Sequence, residues 1–288
     1  MGGEPARGLP GRGRPAAVGC YRCRVRLLFI GDVFGTPGMT AAVAFLKRER
    51  PNYDFIIVNG ENAAGGFGLT RRHFEQLRSA GADVVTLGNH GFDQSDALEL
   101  VEETTRLVRP ANYPTGTPGV GAGVYDTATG ERVAVIQVMG RVFMDALDDP
   151  FRAVDDALEG LPADVPVLVE LHAEATSEKK VMLHHVAGRV AALVGTHTHV
   201  QTADETVHRG TAYLTDVGMT GVQVSSIGMA FDEVHHRMTK KLPKRYRPAT
   251  GKATVCAVAI DIEGTRATSI TRIWANEHGG EHDVTSAP

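Results

Sequence analysis

Side chains that can bind a metal ion or carry a proton recur at one kind of position in this sequence, directly after a short apolar run. His197 and His199 stand one residue apart in Gly195-Thr196-His197-Thr198-His199, immediately behind the apolar run 190–194. Residues i and i+2 of an extended backbone point to the same side, so the pair is expected to present two imidazoles to one site at a strand's end. Neutral imidazole is the commonest side-chain metal ligand. A lone His-x-His is better read as a surface or capping pair; repetition alters that reading. Asp32 follows the run 25–30, Glu61 and Asn62 follow 54–58, Asn89 and His90 follow 83–87, and His172 follows 165–171. Each has a structural explanation taken singly, as a cap, a surface charge or a satisfied core histidine. Their shared placement points to one site. His73, His184, His185, His208, His235 and His236 follow no such run and are read as structural.

Carboxylate, carboxamide and imidazole donors together suit borderline ions such as Fe, Mn or Zn. Two ions about 3.5–4 Å apart need a bridging ligand, which a carboxylate supplies through its two oxygens; Glu61 is the candidate. Such a pair lowers the pKa of a shared water for in-line attack on phosphorus. The leaving alkoxide then needs a proton, and His90, beside the candidate ligand Asn89, is placed to deliver it.

The elements that must position these residues alternate. Strands are expected at 25–30, 54–58 and 83–87, with helices over 39–50 and from a Thr70 cap to about Gly81. Strand, polar tip, helix, three times over, indicates an α/β fold with parallel strands, in which ligands gather beyond the strands' carboxyl ends. Further strands are expected at 132–138, 165–171, 190–194 and 212–215, with helices over 149–158 and 176–185. The stretch 115–130 is turn-rich with hairpin connections, 228–248 reads as a helix and a basic connection, and 254–262 with 267–273 reads as a closing hairpin. No composition break divides 25–275, so one domain is expected, preceded by a disordered Gly/Pro/Arg-rich extension over 1–24 and followed by a polar, frayed tail over 276–288.

Composition sets outer bounds. The chain has 288 residues, 42% hydrophobic and 22% charged, with a formal net charge of −4, which gives no reason to expect broad binding to nucleic acid or membrane. No apolar run approaches the ~18 residues of a bilayer span, and the first residues lack a secretory signal's apolar core. Three cysteines cannot build a disulfide framework, so the cytoplasm is the expected compartment. Cys20 and Cys23 form a C-x-x-C with no helix start and no second ligand pair, and the motif is read as incidental. The turn Gly31-Asp32-Val33-Phe34-Gly35 lacks the G-x-G-x-x-G of a dinucleotide site, and Gly65-Gly66-Phe67-Gly68 lacks the Lys-Ser/Thr of a phosphate loop.

Taken in order, Gly31-Asp32, Gly60-Glu61-Asn62, Gly88-Asn89-His90, His172 and Gly195-Thr196-His197-Thr198-His199 resemble the calcineurin-like metallophosphoesterases. The resemblance is closest to the bacterial YmdB-type branch. It extends to Asn59-Gly60-Glu61-Asn62-Ala63-Ala64, Arg109-Pro110-Ala111-Asn112, His172-Ala173-Glu174-Ala175-Thr176 and Thr215-Asp216-Val217-Gly218-Met219, and covers 25–275. It implies a four-layer α/β/β/α sandwich of two mixed sheets flanked by helices. It also implies a dinuclear centre, often of iron, with Mn or Zn as alternatives, and phosphodiesterase activity on 2′,3′-cyclic nucleotides. Asp32, Glu61, Asn62 and His199 would hold one ion, and Glu61, Asn89, His172 and His197 the other, with His90 as proton donor. A homo-oligomer is a further implication, and RNA ends are a further substrate to consider. Two positions depart from the wider superfamily: Phe34 stands where the first motif usually has histidine, and Glu61 replaces the usual bridging aspartate. The Arg-rich extension also departs from the family, and a start near Val25 is the expectation, to be overturned by an intact mass that includes residues 1–24. Two other readings stand beside this one. A metallo-β-lactamase-like hydrolase also uses His-x-His but needs Asp and His shortly after, which Val200-Gln201-Thr202-Ala203-Asp204 does not supply. A non-catalytic signalling or RNA-interacting scaffold would keep metal for stability alone.

Overall fold

The computed structural model describes residues 24–276; the C-x-x-C and most of both expected tails lie outside them. In chain order the elements are β1 (Arg24–Ile30), α1 (Gly35–Glu49), β2 (Phe55–Asn59), α2 (Arg71–Ala80), β3 (Val84–Thr86), α3 (Ser95–Glu103) and β4 (Leu107–Val108). Then come β5 (Ala122–Asp126), β6 (Arg132–Met139), α4 (Pro150–Glu159), β7 (Val167–His172), α5 (Thr176–Val186) and β8 (Ala192–Thr196). The described fold closes with β9 (Thr206–His208), β10 (Thr211–Leu214), α6 (Phe231–Lys240), β11 (Thr254–Glu263) and β12 (Arg266–Asn276). No helix among the described residues is long and apolar enough to cross a membrane.

These strands make two six-stranded sheets, ordered β12-β11-β1-β2-β3-β4 and β5-β6-β7-β8-β10-β9. Each is mixed. β1 to β4 run parallel, β11 runs antiparallel beside β1 and β12 antiparallel to β11 at the edge, and β6, β7, β8 and β10 run parallel between the antiparallel edges β5 and β9. Alternation along β1 shows how one strand serves two layers. Leu27 and Phe29 face inward with Phe55 and Ile57 onto Val133, Val135, Val194 and Leu214 of the second sheet. Leu28 and Ile30 face outward with Ile56 and Val58 under Phe45, Leu46 and Leu77 of the first pair of helices. On the far side Ile136, Val138 and Val169 lie under Val154, Met182 and Val186 of α4 and α5. The result is the expected four-layer sandwich. Strands buried on both faces read as continuous apolar runs, which is why their positions could be read from the sequence.

Several boundaries differ. α1 begins at Gly35, not near residue 39, because Pro37 sits in the first turn, where its missing N–H costs nothing. α3, β4 and β9 were not expected; β4 is two residues long, too short for a periodic signal. Arg24 pairs with Glu263 and Asn276 with Thr254, so the paired strands reach one residue into each expected tail. Thr70 caps α2 as expected, its hydroxyl accepting from His73 N–H.

Candidate metal centre

The parallel strands of both sheets end at one edge, where the segment after β10 ties them together. Thr220 N–H donates to the Asp32 carbonyl at 2.9 Å and Val217 N–H to the Gly195 carbonyl at 2.8 Å. The approach leaves no room for side chains: a Cβ on Gly31 would meet the Gly218 carbonyl oxygen at 2.0 Å, and one on Gly195 the Thr215 oxygen at 1.8 Å. The fold brings Asp32, Glu61, Asn62, Asn89, His172, His197 and His199 to this edge, with His90 at its rim.

The two histidines of the His-x-His arrive there by a different route from the one expected. β8 stops at Thr196, and His197 and His199 take left-handed backbone with φ of 96° and 66°. Neither is extended, so strand alternation does not aim them. Strain of this kind persists only where the surroundings enforce it, and here two buried carboxylates do. Asp32 Oδ2 accepts from His197 N–H at 3.0 Å, and Asp216 Oδ2 accepts from Thr198 N–H at 3.1 Å and Thr198 Oγ1 at 2.8 Å. Asp216 is held in turn by Lys179, whose Nζ lies 2.7 Å from Oδ2 with both side chains buried.

His199 and His172 each have one nitrogen committed away from the centre. His199 Nδ1 donates to the Ile227 carbonyl at 2.9 Å, which leaves Nε2 facing Asn62 Oδ1 at 3.2 Å. Thr196 Oγ1 donates to Glu170 Oε1 at 2.9 Å, so it accepts from His172 Nδ1 at 2.9 Å. His197 Nε2 lies 3.3 Å from Glu174 Oε2. Outer partners of this type fix a histidine's tautomer and orientation in metal sites. The inward nitrogen of His172, Nε2, then meets Asn89 Oδ1 at 2.8 Å, Glu61 Oε1 at 3.0 Å and His197 Nδ1 at 3.1 Å. A single N–H cannot serve three acceptors; a cation can. Asp32 adds a wholly buried Oδ1 with no hydrogen-bond partner, and the inward atoms of Glu61, His172 and His197 all lie within 4.8 Å of one another. The donor set fits metal ions.

Electrostatics agree. Burial lowers the His172 pKa, but the carboxylates of Glu61 and Asp32 outweigh it and raise the group to about 9. Burial raises Glu61, yet His172 and the His90 backbone N–H bring it to about 2. Burial, reinforced by His172, takes His197 to about 3. The carboxylates therefore favour positive charge at His172, whereas burial and that charge disfavour it at His197.

His90 stands outside this core. Its Nδ1 lies 2.7 Å from Asp93 Oδ2, and Phe67 packs edge-on at 5.0 Å. With Glu61, Asn62, His197 and His199 it lines an open cleft of about 230 Å³. Phe34, at the position where the wider superfamily usually has histidine, packs edge-on against His199 at 5.5 Å and so buttresses a ligand candidate. Asn59, Thr196 and Asp216 lie within the motifs that carry the resemblance, but no supporting role was read from sequence for them or for Glu170 and Lys179. Asn59 Nδ2 donates to Glu170 Oε1 at 2.6 Å across the two sheets. A charged residue inside an apolar run, as in Val-Leu-Val-Glu-Leu-His, was the available signal for Glu170.

Comparison with known proteins bears on these geometries. The chain is 43% identical over 259 residues to a 2′,3′-cyclic-nucleotide 2′-phosphodiesterase of Bacillus subtilis, covering 88% of this chain and 98% of that protein. A crystal structure of a hypothetical protein from Thermus thermophilus superposes with a TM-score of 0.84 at 48% identity, over 87% of this chain and 99% of that one. A Mycoplasma pneumoniae structure described as a novel phosphatase matches with a TM-score of 0.82 at 28% identity, over 88% and 94%. Since a profile of the family described as "YmdB-like protein" also matches residues 28–273, nearly all of the described fold, the chain belongs to the YmdB-like family.

Proposed function

We propose that the chain is a metal-dependent phosphodiesterase that opens 2′,3′-cyclic nucleotides. The observation that carries the proposal is the convergence of Glu61, Asn89 and His197 on His172 Nε2, backed by outward-committed imidazole nitrogens. Asp32, Glu61, Asn62 and His199 would hold one ion, and Glu61, Asn89, His172 and His197 a second, with iron the leading candidate and Mn or Zn compatible with the same donors. Such ions supply an acidified water and neutralise charge on the phosphoryl group.

The chain's own residues do the rest. Glu61 Oε2 accepts from His90 N–H at 2.9 Å, which ties the backbone of His90 to the carboxylate that would bridge the ions. Asp93 Oδ2 accepts a hydrogen bond from His90 Nδ1–H and so orients Nε2, the proton-donating atom, toward the cleft. As the cyclic ester opens, His90 protonates the departing ribose oxygen, a step that general acids accelerate by about 10²–10⁴-fold. The substrate class follows the name of the Bacillus subtilis relative.

Hydrolysis of 2′,3′-cyclic AMP by metal-reconstituted protein tests this, beside Asp32→Ala and His90→Ala. Turnover should vanish in the first with loss of metal and fall about 10²-fold or more in the second with metal retained. No turnover with any divalent metal, despite two bound ions per chain, would refute the substrate class.

A further inference from the structure

Beyond the rim of the cleft the chain changes electrical character. Residues 228–252 carry seven Lys and Arg against two acidic side chains, in a chain whose formal net charge is −4. A second cavity of about 720 Å³ opens there, walled by Arg237, Lys244, Arg245 and Tyr246 opposite Phe67. Phe67 and Tyr246 also line the cleft, so the two spaces adjoin across an aromatic pair. The Arg237 guanidinium stacks over the Tyr246 ring at 5.1 Å. Among the described residues Arg247 is paired with Glu233, whereas Arg237, Lys244 and Arg245 make no ion pair. Their charge is available to a ligand.

The cleft itself, at about 230 Å³, is smaller than the ~300–1,000 Å³ of ordinary small-molecule sites. It has room for a reacting phosphate and its ribose, and the basic cavity beyond Phe67 and Tyr246 gives a longer substrate a path out. Basic grooves interleaved with aromatic faces hold single strands without reading sequence, through phosphate contacts and base stacking. Resting on the phosphodiesterase reading above, we propose that this cavity binds the backbone of single-stranded RNA whose 2′,3′-cyclic phosphate end occupies the cleft. Only ribose can form that cyclic ester, because it needs the 2′-hydroxyl, so the strand is RNA. Mononucleotides would then be the shortest members of the substrate class.

The test uses the full chain loaded with Mn²⁺. Binding of a fluorescein-labelled hexaribonucleotide is followed by anisotropy between 50 and 200 mM salt, in wild type and in Lys244→Ala/Arg245→Ala. The double variant should bind at least about tenfold more weakly, and its log–log salt slope should shrink by about 1.4, the value for two lost single-strand phosphate contacts. Its kcat/KM on 2′,3′-cyclic AMP should stay within about twofold of wild type, because neither residue lines the cleft. Equal binding by both proteins, or none by wild type, overturns the proposal. So does binding to anionic lipid vesicles in place of the oligonucleotide. If the strand binds as expected but the mononucleotide is never hydrolysed, the catalytic reading falls and the basic cavity stands. If the mononucleotide is hydrolysed but no strand binds, catalysis stands and the RNA site falls.

Discussion

Lys179→Met tests whether a buried ion pair governs the geometry of the centre. Lys179 Nζ lies 2.7 Å from Asp216 Oδ2 and 2.8 Å from the Thr196 carbonyl oxygen, with 1% and 0% exposure for the two side chains. Removing the ammonium leaves a carboxylate in the interior, an event that costs about 3–5 kcal/mol. Asp216 retains bonds from Thr198 N–H, Thr198 Oγ1 and Gly218 N–H, which puts the expected loss at the lower end, about 3 kcal/mol. Asp216→Asn should cost a similar amount, since Lys179 would keep neutral acceptors but lose its counter-charge. The double variant removes both charges, so its loss should fall short of the sum by about 2–3 kcal/mol, the signature of contacting residues. Urea unfolding of the four proteins measures this directly, and melting should drop by about 6–12 °C in each single variant. Metal content should also fall, because the Thr198 turn that aims His197 and His199 hangs on Asp216. Losses that add within about 0.5 kcal/mol, the behaviour of independent sites, would refute the reasoning.

Further outcomes follow from neighbouring geometry. Gly88→Ala places a methyl carbon 2.3 Å from Glu61 Oε2 and 2.6 Å from His172 Nε2; the purified variant should hold less than one ion per chain by elemental analysis while its circular dichroism is unchanged. Asp93→Asn removes the acceptor 2.7 Å from His90 Nδ1, and should cut kcat on 2′,3′-cyclic AMP by about ten- to a hundredfold, in line with other orienting partners, with metal content intact. Asp204 is held at about 2, because Lys180 and the Thr215 and Thr202 hydroxyls outweigh its burial. A carboxyl depressed on folding stabilises above its unfolded pKa near 4 and stops doing so as pH falls through its folded value. The urea-midpoint gap between wild type and Asp204→Asn should therefore narrow steadily from pH 4 to pH 2; a gap unchanged over that window would count against the assignment. The group is partly solvated, which keeps the effect small.

Much of this molecule could be read before folding, for a physical reason. Parallel strands buried on both faces are uninterrupted apolar runs, and polar residues at their ends follow at once in the chain, so Asp32, Glu61, Asn89 and His172 announced themselves. The support was hidden because it is long-range. Nothing local marks Lys179, on a helix, as the partner of Asp216, 37 positions away, or Asn59 as the partner of Glu170, 111 positions away. His197 and His199 reach one edge together as expected, but on a backbone that was not, because Asp32 and Asp216 impose left-handed conformations that local spacing cannot reveal. α3 was missed although Ser95-Asp96 opens it; a short helix between two loops offers few turns in which a period can show.

The hydrogen bond from His197 N–H to Asp32 spans 165 positions and joins the tips of strands from different sheets. No half of the chain owns the centre. Loop-closure entropy must be met before so distant a contact is rewarded, so the cradle can assemble only after both sheets have docked. Ion uptake during refolding should therefore lag behind the recovery of secondary structure. Once captured, the ions would resist separation of the sheets, since a ligand that binds only the native state raises the free energy of unfolding. In that sense the candidate metal centre would also serve as the clasp that keeps the sandwich closed.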